Sequence, residues 1–253
     1  FYYDHLSLDG KSAPVRVRSL VGLIPLLAVE VIDQRAMAAF PGFRKRALWL
    51  VENRPDLASH IACLTRNVEG AEEACAFRML SIPSRDRLER VLRYLLDENE
   101  FLSPHGIRSL SRAYEGEPYS VRVDGEVHSI AYEPGEATGR MFGGNSNWRG
   151  PIWMPVNYLL IEALERYHLF YGDTLKVELP TGSGNWVNLG TVARDLERRL
   201  ASLFLPDEEG RRPIYRETAL ADRYATHPHW KDLVLFHEYF HADTGRGLGA
   251  SHQ

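Results

Sequence analysis

The chain has 253 residues, of which 44% are hydrophobic and 25% charged, and its formal net charge at pH 7 is −4. This composition is ordinary for a globular protein, and the lack of a basic excess argues against nucleic-acid binding and against attachment to an anionic membrane. No apolar run approaches the roughly 18 residues of a membrane span. Cys63 and Cys75 are too few for a disulfide framework and lack zinc-ligand spacing, so we expect reduced thiols.

Helical patterns dominate the first hundred residues. The segment 20–32 is apolar on nearly every side, which predicts a buried helix that Pro25 kinks. A second helix is expected at 44–52. A third is expected at 84–98, because an N-capping serine precedes an apolar stripe on one face of the pattern. The segment 56–80 stays open between helix and loop.

A β-hairpin is expected at 119–132, because two alternating segments flank Asp124-Gly125, a strong turn signal. The rest of the pattern combines two long helices with loops and one short helix. It predicts a helix from Pro151 to Gly172, a loop at 175–188, an amphipathic helix at 189–204, a short aromatic helix at 229–240 and an irregular segment at 243–249.

The central stretch runs from Gly143 to Tyr158 and reads GGNSNWRGPIWMPVNY. Its glycines, asparagines and serine predict a loop, and its prolines suit the first turn of the helix that follows. The loop and that first turn carry Trp148, Arg149 and Trp153. Two indoles can form a flat apolar platform, and a guanidinium beside them can donate several hydrogen bonds. Proteins bind sugars with this combination. The alternative is that both tryptophans belong to the core and that Arg149 pairs with a carboxylate.

The heptapeptide NWRGPIW at 147–153 resembles the signature of glycoside hydrolase family 63, the processing α-glucosidases, whose prokaryotic members include mannosylglycerate and glucosylglycerate hydrolases. The resemblance implies a mainly α-helical (α/α)6 barrel, inverting hydrolysis of an α-linked sugar or oligosaccharide, and no cofactor. A full barrel needs about twelve helices, more than this chain can supply. We therefore expect residues 1–253 to form a single partial domain, the C-terminal half of a barrel whose N-terminal half is missing.

The resemblance extends to the segment 235–249, LFHEYFHADTGRGLG. It implies that Glu238 is the general base, a carboxylate that holds the attacking water against the anomeric carbon. Tyr239 would supply an apolar wall and His241 a contact to a sugar hydroxyl. Glycines in the following loop would let the backbone approach the sugar. The alternative is that Glu238 is an ordinary surface carboxylate.

The same segment also contains the zinc-protease pattern His-Glu-x-x-His, from His237 to His241. That pattern requires a helix and a third ligand. The metzincin continuation would need glycine and histidine where the chain has Thr244 and Gly247, and Gly245 ends any helix. We therefore predict no metal, and a zinc metallopeptidase remains as an alternative function.

A further stretch, PHGIRSLS at 104–111, resembles the family loop that lines the pocket opposite the base. Arg108 would contact substrate there, or would simply belong to a turn after a helix. The segment 16–27 resembles the family stretch that enters an inner helix, although a buried helix with two arginines at its start explains it equally well.

The general acid of the family is an aspartate in a segment resembling Gly-x-Asp-Asp-x-Pro-Arg, and the chain contains no such segment. We expect it upstream of Phe1, so the fragment alone should be inactive. A second alternative function is that of a non-catalytic, carbohydrate-binding helical module. The expected location is cytoplasmic.

Overall fold

The protein is described by a computed structural model that covers residues 1–8, 10–54, 62–66, 77–139 and 146–252. Three residues of the predicted central loop, 143–145, lie outside these ranges, as does Cys75. Most of the segment left open between helix and loop also lies outside, but its described parts, 62–66 and 77–80, are extended.

Short strands and helices alternate in the first part of the chain. A hairpin comes first, formed by β1 (Asp4–Leu8) and β2 (Lys11–Val15). After it follow a 3-10 helix (Leu20–Leu27), strand β3 (Val29–Asp33), helices α1 (Gln34–Ala39) and α2 (Pro41–Asn53), and strands β4 (Ala62–Arg66) and β5 (Phe77–Ser81). The last three strands named form one antiparallel sheet in the order β3-β5-β4.

Two-stranded antiparallel hairpins separate the longer helices in the rest of the chain. The paired strands are β6 (Leu102–Ser103) with β7 (Gly106–Ile107), β8 (Tyr119–Val123) with β9 (Glu126–Ile130), β10 (Lys176–Glu178) with β11 (Trp186–Asn188), and β12 (Phe236–Phe240) with β13 (Gly247–His252). The helices are α3 (Arg85–Leu95), α4 (Met154–Tyr171), α5 (Leu189–Ser202) and α6 (Ala221–Thr226), with 3-10 turns at Arg112–Tyr114, Gly172–Thr174 and Pro213–Tyr215.

The prediction of a mainly α-helical chain, an incomplete (α/α)6 barrel, is wrong. The described residues form a mixed structure in which thirteen short strands are interspersed with six α-helices. One reason lies in the apolar segment 20–32. Pro25 limits it to a 3-10 helix, and the β-branched residues after Ala28 continue as strand β3. The segment is not buried on every side either, because Val21 and Ile24 are each 52% exposed.

Three further predictions are wrong in part. The predicted loop at 175–188 contains the hairpin of β10 and β11, the predicted helix at 229–240 contains strand β12, and the predicted irregular segment 243–249 enters strand β13 at Gly247. The helices predicted at 44–52, 84–98 and 189–204 are confirmed as α2, α3 and α5. The hairpin at 119–132 is present, with positive φ at both turn residues, Asp124 and Gly125. The long helix expected before Gly172 is present as α4, although it begins at Met154 rather than at Pro151.

One hydrophobic core runs through most of these elements. The predicted stripe of α3 is buried in it, and α4 packs against α5 and β3. Helix α4 has 18 residues, so its two ends are about 27 Å apart. Among the described residues, none of the helices combines the length and the apolar composition of a transmembrane span.

Candidate active site

Three distant stretches of the chain meet at the N-terminal end of α4. Isolated antiparallel bridges join Arg108 to Ile152 and Ile152 to Phe240. The second bridge has two hydrogen bonds, from the Ile152 amide to the Phe240 carbonyl (2.8 Å) and from the Phe240 amide to the Ile152 carbonyl (3.0 Å). The loop at 104–111, the tryptophan-rich signature and the strand of the candidate base are therefore held side by side by backbone hydrogen bonds.

Glu238 lies on β12, opposite a β-bulge in β13. His237 pairs with Ser251 and Tyr239 pairs with Leu248, so Glu238 faces both Gly249 and Ala250. Gly249 has a φ of 68°, a left-handed conformation that glycine adopts without steric cost. A Cβ atom at position 249 would lie 2.7 Å from Glu238 Oε2, so a larger residue there would displace this carboxylate.

Each carboxylate oxygen of Glu238 lies near a hydrogen-bond donor. Ser146 Oγ donates to Oε1 at 2.7 Å, and the Ala250 amide lies 3.5 Å from Oε2. Glu238 remains partly exposed. The carboxylate is thus oriented from two sides while a water molecule or a substrate can still reach it, which a general base requires.

Three aromatic rings are stacked beside this carboxylate. The rings of Trp148 and Trp153 are parallel within 2°, with centroids 3.9 Å apart, and Trp153 stacks on Tyr239 at 5.0 Å. Trp153 is 8% exposed and donates its indole N–H to the Asn147 carbonyl at 2.9 Å. Trp148 is 43% exposed. The outer ring is therefore the one that can meet a ligand, and Trp153 supports it from behind.

The Tyr239 hydroxyl donates to Glu136 Oε2 at 2.9 Å. Burial raises the pKa of Tyr239 far above its ordinary value, and the hydrogen bond to Glu136 and the charges of Glu136 and Glu238 raise it further. This phenol therefore keeps its proton. Glu136 was missing from the sequence prediction, because nothing in the loop before the signature distinguishes it from a surface carboxylate.

The Arg149 side chain is mostly buried and forms an ion pair with Glu133, with 2.7 Å between Nη2 and Oε2. Its backbone amide donates to Asn147 Oδ1 at 2.9 Å. The side-chain amide of Asn147 donates through Nδ2 to the carbonyls of Glu133 and Gly135 at 2.8 Å each. In the structure Arg149 thus pairs with a carboxylate, the alternative considered above, and connects the signature to the loop at 133–139.

The structure places Arg108 in the interior, at 1% exposure. Its Nε donates to the Tyr132 hydroxyl at 3.0 Å, Nη1 donates to the carbonyls of Glu98 (3.1 Å) and Leu102, and Nη2 donates to Asp243 Oδ1 at 3.1 Å. Asp243 lies in the loop from His241 to Arg246, between β12 and β13. The guanidinium therefore holds the loop that follows Glu238.

His241 is also engaged within the protein. Its Nδ1 accepts hydrogen bonds from the amides of Asp243 (3.2 Å) and Thr244 (3.3 Å). Burial lowers the pKa of His241, and the nearby charge of Arg246 lowers it further, against an opposing effect of Asp243. A neutral ring with its proton on Nε2 fits these contacts. The Nε2 edge lies against Gly135, where a Cβ atom would come within 3.4 Å of Nε2.

The His-Glu-x-x-His pattern lies on a strand rather than on a helix. His237 is within β12 and His241 follows its end, so the two are four residue steps apart along an extended chain, at about 3.3 Å a step. The helical turn that would bring such histidines to one metal is therefore lacking. Within the described ranges, no three His, Cys, Asp or Glu side chains form a group suited to a metal ion. The absence of a metal stays a prediction.

The model of one protein family, the mannosylglycerate hydrolase MGH1-like glycoside hydrolase domain, matches residues 65–253. The chain belongs to this family. The matched region contains Arg108, the tryptophan-rich signature and Glu238, all brought together at the site.

Relatives of this MGH1-like domain are much longer than the chain. An uncharacterized protein of Saccharomyces cerevisiae is 46% identical over the whole chain, which spans 23% of that protein. A probable mannosyl-oligosaccharide glucosidase of Schizosaccharomyces pombe is 25% identical over 64% of the chain and 13% of its own length. The mannosyl-oligosaccharide glucosidase of S. cerevisiae is 29% identical over 40% of the chain and 9% of its own length. The resemblance to processing glucosidases and mannosylglycerate hydrolases is thereby confirmed.

Proposed function

We propose that the protein hydrolyses α-glycosidic bonds with inversion of the anomeric carbon and that Glu238 is the general base. The base takes a proton from a water molecule as that water attacks the anomeric carbon opposite the leaving group. The substrate class is an α-glucoside, a mannosyl-oligosaccharide, or a mannosyl- or glucosylglycerate. Membership of a glycoside hydrolase family supports the reaction, and the names of two relatives support the glucosidic class.

The observation that carries the proposal is the way in which the Glu238 carboxylate is held. Ser146 and the β13 bulge orient its two oxygens, and the bulge glycine leaves the space that the carboxylate occupies. The partly exposed ring of Trp148 stands next to this segment, and a sugar ring could pack on its apolar face. A fixed carboxylate beside an aromatic platform is what positioned base catalysis on a sugar requires.

An inverting glycosidase also needs a general acid about 6.5–9.5 Å from the base. The carboxylates of Glu133 and Glu136 near the site already have partners, since one pairs with Arg149 and the other accepts from Tyr239. We propose that the acid comes from another part of a longer protein, of which these 253 residues supply the base and part of the sugar pocket. The N-terminal part of the same domain is its expected source.

The test is Glu238→Gln in the full-length protein, assayed on α-linked glucosides and mannosides. The amide keeps the shape of the side chain but cannot take a proton from water, so we expect kcat to fall by about 10²–10⁴-fold with KM little changed. Glu136→Gln is the matched control. It should cost less than about tenfold, because Glu136 acts on Tyr239 rather than on water. Near-normal kcat in Glu238→Gln would overturn the proposal.

Azide gives a second measurement. A small anion attacks without needing a base, so it should restore part of the turnover of Glu238→Gln and yield the β-glycosyl azide, the inverted product. A retained, α-configured azide product would contradict the inverting mechanism. Binding of these sugars without hydrolysis by the parent protein would favour the non-catalytic module instead.

A further inference from the structure

A pocket with a volume of about 330 Å³ lies between α3 and the hairpin of β10 and β11. The helix contributes Glu89 and Arg93, and the hairpin contributes Lys176, Glu178, Thr181 and Trp186. This hairpin follows the C-terminal end of α4, whereas Glu238 lies by the N-terminal end. About 27 Å of helix separates the two regions, so the pocket is distinct from the candidate active site.

The pocket is bordered by an open indole. Trp186 is 60% exposed and lies directly opposite Glu178 in the antiparallel register. Alternate residues of a strand share one face of the hairpin, so Lys176 and Glu178 lie on the same face as Trp186. Val177 is buried and also lines the pocket. A flat aromatic ring is thus presented with an ammonium and a carboxylate next to it.

Hydrogen-bonding groups of both kinds surround the ring. The Glu178 carboxylate is oriented by the amides of Gly182 (2.8 Å) and Gly184 (3.3 Å), and its remaining lone pairs can accept more hydrogen bonds. In the described part of the chain, neither Arg93 nor Lys176 forms an ion pair, so both cations can donate to a ligand. Thr181 Oγ1 donates to the Arg93 carbonyl at 2.9 Å and connects the hairpin to α3.

We propose that this pocket binds a neutral carbohydrate chain, with one sugar ring stacked on Trp186. Sugars combine an apolar ring face with hydroxyls that both donate and accept, and the pocket offers a partner for each. The alternating charges of Lys176, Glu178 and Arg93 disfavour an ionic ligand. The carboxylate would repel an anion, and the two cationic side chains would repel a cation. A sugar chain held here would keep a polymeric ligand on the protein independently of the Glu238 site.

The proposal is tested by binding in the Glu238→Gln variant of the full chain, so that no hydrolysis interferes. The tryptophans are labelled with fluorine and observed by NMR. The Trp186 resonance is assigned by its loss in Trp186→Phe. Maltoheptaose or an α-linked mannopentaose is then titrated into the protein. We expect one of these sugars to shift the Trp186 resonance in a saturable titration, which gives the dissociation constant of this pocket. Lys176→Met keeps the Trp186 resonance and should weaken this binding several-fold.

The matched control is Trp49→Ala. Trp49 is 56% exposed on α2, close to the exposure of Trp186, but it does not line this pocket. This change should leave the Trp186 shift and the dissociation constant unchanged. A Trp186 resonance that stays fixed with both sugars at 10 mM would overturn the proposal, as would binding weakened equally in Trp49→Ala and Lys176→Met. Because the readout is binding at Trp186, it is independent of whether the protein hydrolyses any glycoside.

Discussion

Ser146 and Glu238, 92 positions apart in the chain, are joined by a hydrogen bond of 2.7 Å between the serine hydroxyl and Oε1 of the carboxylate. The serine belongs to the loop that precedes the tryptophan-rich signature, and the glutamate belongs to β12. The bond therefore links the two stretches that carry the family resemblance. It also gives the proposed base a positioning residue that the sequence prediction did not name.

We predict that Ser146→Ala lowers kcat about three- to thirtyfold while KM changes little. A hydrogen bond to a charged group contributes about 1.5–3 kcal/mol in full, and the Ala250 amide still orients the other oxygen, so the loss should be at the low end. Steady-state kinetics of the full-length protein measure kcat and KM separately. Ser146→Thr keeps the hydroxyl and should recover most of the rate. An alanine variant with normal kcat would contradict a positioning role.

Gly249→Ala should impair catalysis more than it impairs folding. The left-handed backbone costs a non-glycine residue about 1–2 kcal/mol, and the new Cβ would lie 2.7 Å from Glu238 Oε2 and 2.9 Å from a Tyr239 ring carbon. The carboxylate must then move. We expect a loss of about 1–3 kcal/mol in unfolding free energy and a kcat reduced at least tenfold.

Gly116→Ala separates these two effects. Gly116 has a φ of 81°, and a Cβ atom there would meet nothing within 4 Å, so the variant carries the backbone strain alone. Chemical denaturation should show a comparable loss of stability with unchanged kcat. Equal kcat in both variants would show that the bulge does not position Glu238.

The stacked rings predict a graded response at Trp148. Its outer face is open, while its inner face covers Trp153 at 3.9 Å. Trp148→Ala should raise KM about tenfold and change kcat less, because the platform holds the sugar in both ground and transition states. Trp148→Phe keeps a smaller aromatic platform, so its KM should lie between that of the unchanged protein and that of Trp148→Ala. A lower kcat at unchanged KM would argue that the ring acts on the reaction rather than on binding.

Arg108→Lys should destabilise the protein by about 2–4 kcal/mol. The buried guanidinium donates to Tyr132, to Asp243 and to two carbonyls, and an ammonium cannot reach all of them. Arg112→Lys is the control, because its pair with Glu115 is exposed and should contribute less than about 1 kcal/mol. Urea denaturation compares the two. If Arg108→Lys raises KM without loss of stability, the sequence-based expectation of a substrate contact is favoured instead.

The sequence contains enough information to find the stretches that form the candidate site. The signature at 147–153 and Glu238 were both identified by their resemblance to a known family, and the structure brings their segments together through the bridge between Ile152 and Phe240. The partners Ser146, Glu136 and Asp243 were missed, because polar residues in loops carry no periodic signal. Arg108 was expected at the pocket surface, and only tertiary packing reveals that it is buried.

The strands were harder to predict than the helices, because strand pairing is non-local. In β12, Tyr239 and Phe240 are adjacent and both fully buried, so the alternation that identifies a half-buried strand is lost. Phe236, Tyr239 and Phe240 also follow helical spacing. The choice of strand is made by pairing with β13 and with Ile152, neither of which is visible in residues 229–240. Helices α3 and α5 were predicted correctly because their stripes are local.

The last prediction concerns the pH dependence of stability. Burial lowers the pKa of His237 below its ordinary value of 6.5. Both of its ring nitrogens are shielded from solvent, and neither has a hydrogen-bond partner among the described residues. The ring packs against Gly247, where a Cβ atom would come within 2.2 Å of it. The folded chain therefore resists protonation of His237, whereas the unfolded chain accepts a proton near pH 6.5.

Below that pH the unfolded state binds more protons than the folded state, so the free energy of unfolding falls as pH drops through 6.5 toward the lower pKa of the folded state. One such proton contributes at most about 1.4 kcal/mol per pH unit, and less here because the ring is only half-buried. In His237→Leu this contribution is gone, while an apolar side chain still fills the space beside Gly247. Urea denaturation at pH 7.5 and 5.5 should therefore show a smaller loss of stability in the variant than in the parent chain. An equal or larger loss in His237→Leu would mean that His237 is protonated as readily in the folded chain as in the unfolded one.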